Sequence, residues 1–198
     1  MGQDLPQTDG SLGIGAKRLA IHTDGSLVLV AIPEKGVDFG GGPLTSAGSE
    51  DVAVVKLDAN GGHVWSKLFG AKSRESVAGV GVDASGAVAF TGTFSAPVDF
   101  GGGPLVSNGG EDAFVVKLDA SGVHVWSKRF GSRGNDDARG LAVDAKGNVA
   151  VTGEFTGDGS FDGQTLSSAG ERDTFIALLD PSGALVWSKR RTRQRRAT

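Results

Sequence analysis

The chain contains three copies of one unit of 61 residues. Its only tryptophans, Trp65, Trp126 and Trp187, stand 61 residues apart, and residues 37–70 match residues 98–131 at 26 of 34 positions without a gap. A fixed period constrains the fold strongly, because each copy adopts the same structure and buries its apolar faces against its neighbours. The predicted organisation is a loose leader at 1–14, units at 15–70, 76–131 and 137–190, and a basic tail at 191–198.

Each unit shows four strand candidates. In the second unit these are Val77–Val82, Val88–Phe94, Ala113–Leu118 and a last strand, Val123–Lys128, that carries Trp126. Turns of the form Asp-x-x-Gly join the first two and the last two, and suit hairpins because Asp bonds the local backbone and Gly takes a positive φ. Small residues such as Gly79 and Gly81 suit a crowded first strand.

A long connection joins the second and third strands. Phe39, Phe100 and Phe161 recur in it, and Asp162-Gly163 is typical of a type I′ turn. We predict a small protruding hairpin anchored by the phenylalanine of each copy.

The apolar pattern of the third strand predicts sheets that are covered on both faces. It places adjacent apolar residues in every copy, as in Val54-Val55, Val115-Val116 and Leu178-Leu179. Four antiparallel strands per unit favour the blades of a β-propeller over the shorter rungs of a β-solenoid. The predicted fold is all-β: three four-stranded antiparallel blades, forming an open arc or a ring closed by oligomerisation.

Composition excludes several classes of function. The chain has no cysteine, which removes disulfides and thiolate chemistry. Its net charge is −3, and without the four arginines of the tail it is −7, which argues against a nucleic-acid surface. The first residues do not resemble an export signal, and no apolar run approaches a membrane span.

Four motifs resemble the bacterial β-propeller repeat known as SBBP. They are Phe-Gly-Gly-Gly-Pro-Leu, Glu-Asp-x-x-Val-Val-Lys-Leu-Asp-x-x-Gly, Val-Trp-Ser-Lys-x-Phe-Gly and Val-Asp-Ala-x-Gly-x-Val-Ala-x-Thr-Gly, and the resemblance covers about residues 15–190. It is strongest to surface proteins and lipoproteins of myxobacteria. The resemblance implies a secreted or surface-attached propeller, commonly of about seven blades and usually without assigned chemistry.

The sequence departs from that repeat in its number of units and at its end. A closed ring needs more than three blades, and Arg191-Thr192 stand where the register expects Phe-Gly. We therefore expect the chain to be a piece of a longer propeller.

Recurring acidic residues before the third strand are the weak candidates for a binding site. Glu50-Asp51, Glu111-Asp112 and Arg172-Asp173 are equivalent, and carboxylates there could hold a cation or a basic partner. The structural alternative, which we favour, is that the Asp bonds a neighbouring backbone N–H.

Other candidate residues have structural interpretations. The tryptophans could stack on sugars, but one per unit in the same slot indicates packing. His63 and His124 align with Leu185, which argues against catalysis or metal binding. The segment 158–163 begins like a calcium loop, but Ala169 stands where that loop requires a glutamate. We predict no catalytic residue, metal ligand or cofactor.

Three functional hypotheses remain. The first is a binding scaffold for an unidentified protein or glycan. The second is a structural unit that self-associates through its open blade faces, with two copies closing a six-bladed ring. The third and least favoured is an enzyme with a site at the propeller mouth.

Overall fold

The structure is a computed structural model that describes residues 14–33, 37–46, 48, 50–70, 72–169 and 172–192. The described residues are all-β, and none of them forms a helix able to cross a membrane. Most of the predicted leader and of the basic tail lies outside these ranges. Ile14 already belongs to the first strand and Arg191 to the last, so both predicted boundaries differ from the structure by one residue.

The four main strands of each repeat unit are antiparallel neighbours in one sheet; the sheets of units 1 and 3 have four strands, and that of unit 2 has six because the inserted hairpin of unit 3 joins it. In each sheet the strands follow chain order, with an inserted hairpin between the second and third. The strands of unit 1 are β1 Ile14–Ile21, β2 Leu27–Pro33, β5 Val52–Leu57 and β6 His63–Phe69, with the hairpin strands β3 Val37–Asp38 and β4 Pro43–Leu44. Those of unit 2 are β7 Ser76–Val82, β8 Val88–Phe94, β11 Asp112–Leu118 and β12 His124–Gly131, with β9 Val98–Asp99 and β10 Pro104–Leu105. Those of unit 3 are β13 Asp137–Val143, β14 Val149–Phe155, β17 Asp173–Leu179 and β18 Leu185–Arg191, with β15 Asp158–Phe161 and β16 Gln164–Ser167.

The inserted hairpin of unit 3 differs from the predicted protruding element. Asp162 and Gly163 both have positive φ, 49° and 87°, as a type I′ turn requires. However, β15 also pairs with β12, through Phe130↔Phe161 and Gly131↔Ser160, and so extends the sheet of unit 2. This hairpin therefore links two units instead of projecting from one. In the shorter hairpins β3–β4 and β9–β10 the two strands pair with each other.

The hydrophobic cores lie between the sheets. One core joins residues of units 1 and 2, and a second joins residues of units 2 and 3. A third, smaller core around Phe39 lies on the face of unit 1 that points away from unit 2. The middle sheet is therefore covered on both faces, as predicted from the adjacent valines Val115 and Val116, which are fully buried.

The first strands of consecutive units pack against each other. A Cβ added at Gly79 in β7 would lie 2.8 Å from the backbone nitrogen of Leu141 in β13, and one at Gly81 would lie 2.6 Å from Cγ2 of Val143. Glycine is therefore required by space at these positions, and the predicted crowding of the first strand is confirmed.

Gly79→Ala and Gly140→Ala test this close approach as a matched pair. At Gly79 the methyl group pushes against the Leu141 backbone, and overpacking of this kind costs about 1–3 kcal/mol. At Gly140, the equivalent position of unit 3, the nearest neighbour is Cγ2 of Thr152 at 3.7 Å. Urea unfolding at low protein concentration should show a lower midpoint for Gly79→Ala alone; equal midpoints would contradict the packing.

Candidate interaction surfaces

At both junctions, an indole ring of one unit binds a turn of the next unit. Trp65 Nε1 donates a hydrogen bond to the carbonyl oxygen of Ala120 at 2.9 Å, and Trp126 Nε1 donates to that of Pro181 at 3.0 Å. Both acceptors lie in the last Asp-x-x-Gly turn of the following unit. Trp65 and Trp126 are only 9% and 7% exposed and pack between units, whereas Trp187 is 40% exposed.

Each indole lies against the glycine of the turn that accepts its hydrogen bond. A Cβ at Gly122 would lie 2.9 Å from Cδ2 of Trp65, and one at Gly183 would lie 2.8 Å from Cδ2 of Trp126. Both glycines have positive φ, 80° and 85°. Glycine is thus needed twice, for the backbone conformation and for the space that the ring occupies.

Buried lysines add a polar contact to each junction. Lys56 Nζ donates to the carbonyl oxygens of Gly86 and Ala120, at 3.4 and 3.3 Å. Lys117 Nζ donates to the carbonyl oxygen of Gly147 at 3.0 Å and lies 3.2 Å from the Asp83 carboxylate. Burying an ammonium group requires such partners, so these lysines fix the next unit in position.

Phenylalanine rings fill part of both junctions. Phe100 lies 5.6 Å from Phe69 of unit 1 and 4.7 Å from Phe114, measured between ring centroids. Phe161 makes the equivalent contacts with Phe130 and Phe175, at 5.7 and 4.9 Å. The inserted hairpin therefore anchors its own unit to the preceding one.

The recurring aspartates lie inside the protein and do not form a ring on a face. Asp51, Asp112 and Asp173 are at most 2% exposed. Asp112 accepts from the Asn108 N–H at 2.7 Å and from Arg129 at 2.9 Å. Asp173 accepts in the same way from Ala169 and Arg190, at 2.8 and 3.2 Å.

The acidic or basic neighbours of these aspartates are nearer the surface. Glu50 forms an ion pair with Arg74, and Glu111 is exposed. Arg172 lies 2.8 Å from Asp137 and 3.4 Å from Glu154. The five candidate acidic residues are distributed over the three units, with Asp112 and Asp173 bonded within their own units, and the structure does not assemble them into one site.

The histidines and the calcium-like segment are also part of local packing. His63 and His124 lie over the central glycines of their own inserted hairpins, Gly41 and Gly102. Asp162 pairs with Lys128 at 2.6 Å. Within the described ranges no three metal-ligating side chains come together.

A polar cleft opens where unit 2 meets unit 3. Its lining residues come from the loops at the edge of both sheets: Asn108, Ser132, Arg133, Gly134, Thr156, Gly157 and Asp158. Asp136, fully buried behind the cleft, accepts hydrogen bonds from the Ser132 hydroxyl at 2.9 Å and from the Thr156 N–H at 2.9 Å. The cleft thus offers amide, hydroxyl, guanidinium and carboxylate groups on a fixed backbone.

Sequence reasoning missed Lys56, Lys117, Asp136 and the cleft. The lysines carried a usable signal, because each interrupts an apolar strand at the same position of two copies. The cleft carried none, because its residues come from connections that differ between units and meet only in the folded chain.

No family model matches this chain. It is 31% identical over 143 residues to the regulatory protein FlaEY of Caulobacter vibrioides. This alignment covers 68% of the present chain and 15% of FlaEY. It is 22% identical over 165 residues to an uncharacterized WD repeat-containing protein of Acanthamoeba polyphaga mimivirus. This alignment covers 73% of the present chain and 12% of the viral protein. The chain therefore spans less than a sixth of the length of either relative.

A solved structure of a protein of unknown function from Bacteroides caccae is also similar to this chain. It aligns with a TM-score of 0.42 and 11% identity, over 91% of this chain and 61% of the other.

Gly122→Ala and Gly61→Ala should separate backbone strain from the contact with tryptophan. Gly61, the equivalent of Gly122 in unit 1, has φ 82°, and no described atom lies within 4 Å of the position that a Cβ would take. Both variants carry the strain of a positive φ, about 1–2 kcal/mol. Only Gly122→Ala displaces an indole, so its unfolding free energy at low concentration should fall by about 1–3 kcal/mol more. Equal losses of unfolding free energy in the two variants would mean that the indole does not pack against the turn.

The pH dependence of stability should change in opposite directions in Asp112→Asn and Asp180→Asn. Burial raises the pKa of Asp112, and the Asp136 carboxylate adds to the rise, while Asn108 and Arg129 oppose it. Hydrogen bonds from Ser182 and from the Ala184 N–H lower the pKa of Asp180.

A raised carboxyl pKa favours folding below the ordinary value of 3.8, and this contribution is lost as the pH rises through the folded-state pKa. A lowered pKa favours folding above 3.8, and this contribution is lost as the pH falls. The measurement is the free energy of unfolding, obtained by denaturant titration at several pH values. The wild-type chain should lose stability above pH 3.8 through Asp112 and below pH 3.8 through Asp180. Asp112→Asn should remove the first loss, and Asp180→Asn the second. Shifts of the same sign in both variants would contradict this assignment.

Proposed function

We propose that the chain is a non-enzymatic β-propeller repeat module that acts as a binding and interaction scaffold. The observation that carries the proposal is the repetition of one contact: the same indole, turn and buried lysine join unit 1 to unit 2 and unit 2 to unit 3. Because each step uses equivalent contacts, each new unit is placed by the same rotation. Repeated rotation of like units produces a ring or a superhelix.

The internal order of each unit supports blades over other repeat elements. Four antiparallel strands follow one another in space, and the first strands β1, β7 and β13 pack against one another from unit to unit. In a propeller the sheets are arranged radially around a central channel. The WD repeat-containing relative supports the same architecture, since WD repeats are four-stranded blades.

We further propose that the module belongs to a secreted or surface-attached bacterial protein. The support is the resemblance of its motifs to the SBBP-type repeat. We assign it no catalytic step, because Asp112 and Asp173, which recur in the repeat, are buried and bonded within their own units.

The polar cleft between units 2 and 3 is the proposed contact for a glycan. Its amide, hydroxyl and guanidinium groups match the hydrogen-bonding hydroxyls of a sugar, and the Asp136 bonds hold Ser132 and Thr156 in place. A polar ligand is favoured by such preorganised partners.

Binding to an array of bacterial polysaccharides and peptidoglycan fragments tests this role. The immobilised chain should retain at least one glycan saturably, and Arg133→Ser should weaken retention about tenfold or more, because a hydrogen bond from a charged group contributes about 1.5–3 kcal/mol. Lys146→Ser, at an exposed turn outside the cleft, is the matched control and should bind like the wild type. Absence of retention, or equal loss in both variants, would contradict a glycan site in the cleft.

A self-assembling structural unit is the second candidate function. One specific observation favours it: Trp187, the indole of the last unit, is 40% exposed, whereas Trp65 and Trp126 are buried. Two copies could then close a six-bladed ring.

A further inference from the structure

We infer that the last unit of one copy binds the first unit of a second copy through the contact that joins units within the chain. This inference rests on the proposed repeat scaffold and specifies its partner as a second copy. Among the described residues, the third unit has an exposed indole and the first unit has a turn that receives none. The surface of the last unit is therefore complementary to that of the first unit, and neither surface is complementary to itself.

The last unit presents the indole half of the contact. Trp187 occupies the slot of Trp65 and Trp126 but is 40% exposed, compared with 9% and 7%. Exposing an indole to this extent leaves apolar surface in water that the other two units bury.

The first unit presents the turn half of the contact. Asp58–Gly61 is the equivalent of the turns that receive Trp65 and Trp126, and Gly61 has the same positive φ, 82°. No atom lies within 4 Å of a Cβ built on Gly61, whereas an indole fills that space at Gly122 and Gly183. The backbone is thus already shaped for an indole.

The first strands of the two ends are complementary in the same way. Inside the chain, Leu141 and Val143 of β13 lie against Gly79 and Gly81 of β7. Their equivalents in β1, Leu19 and Ile21, are 63% and 69% exposed. Their counterpart on the last unit is equally open, because Gly140 has no neighbour closer than 3.7 Å.

One position differs from the internal contact and gives a directed test. Leu178 stands where Lys56 and Lys117 donate to the first turn of the next unit. Unlike those buried lysines, Leu178 is half-exposed. The contact between copies therefore has an apolar group at this point and lacks one hydrogen bond that the internal junctions make.

The contact is heterologous, because it joins two different surfaces. Association through it therefore produces closed rings or open chains of copies. Two copies bring together six units, which lies within the four to eight blades of propellers. When two copies close into a ring, the contact surfaces of both first units and both last units are occupied at once. This favours a discrete dimer over a longer chain of copies.

Light scattering after size exclusion and acrylamide quenching of tryptophan fluorescence test the inference across a dilution series. The mass should change from one chain to two chains with rising concentration, and the quenchable fraction of fluorescence, which comes from Trp187, should fall in parallel. Trp187→Ala should weaken association about thirtyfold or more, as expected for a central aromatic anchor. Val186→Ala, which changes an exposed residue on the same strand, should leave the association unaltered.

Mixing two defective variants distinguishes head-to-tail docking from any self-complementary contact. Gly61→Asn keeps a residue that tolerates positive φ but fills the receiving space. Trp187→Ala and Gly61→Asn should each be monomeric, whereas their mixture should form a heterodimer through one intact contact. Leu178→Lys should tighten association of the wild-type chain by restoring the missing hydrogen bond.

Three outcomes would overturn the inference: a monomer at every concentration, a dimer in which Trp187 stays quenchable, or a mixture that remains monomeric. Glycan retention by a monomeric chain would leave the proposed scaffold standing and remove only the second copy as partner. A dimer without glycan retention would do the opposite.

Discussion

The packing of one sheet against the next is the interaction on which the rest of the structure depends. An isolated sheet of this chain would leave an apolar face in water on each side, because its third strand is apolar on both faces. The indole, the turn glycine and the buried lysine fix how far apart and in which register two sheets lie. Stability therefore resides in the junctions more than in the units, as in other repeat arrays.

This constraint explains why the two ends of the array differ from its middle. Val115 and Lys117 in unit 2 are buried by unit 3, whereas their equivalents Ile176 and Leu178 are half-exposed. At the other end, Leu19 and Ile21 are exposed although their equivalents pack against a neighbour.

The site illustrates the limits of reading chemistry from recurring residues. Asp112 and Asp173 are buried, and each accepts hydrogen bonds from a backbone N–H and an arginine of its own unit. A carboxylate that makes the same bonds in more than one copy of a repeat is a structural signal. The cleft near Arg133 had the opposite character: it depends on residues that do not recur.

The sequence by itself determined the period, the four strands of each unit, the hairpin turns and the packing role of Trp65 and Trp126, because these depend on local pattern and on glycine backbone freedom. Only the tertiary structure decided which turn receives each indole, where Lys56 and Lys117 donate, and that β15 joins the sheet of the preceding unit. Those contacts join residues about 30 to 64 positions apart. Their geometry follows from the placement of whole sheets, which no local pattern encodes.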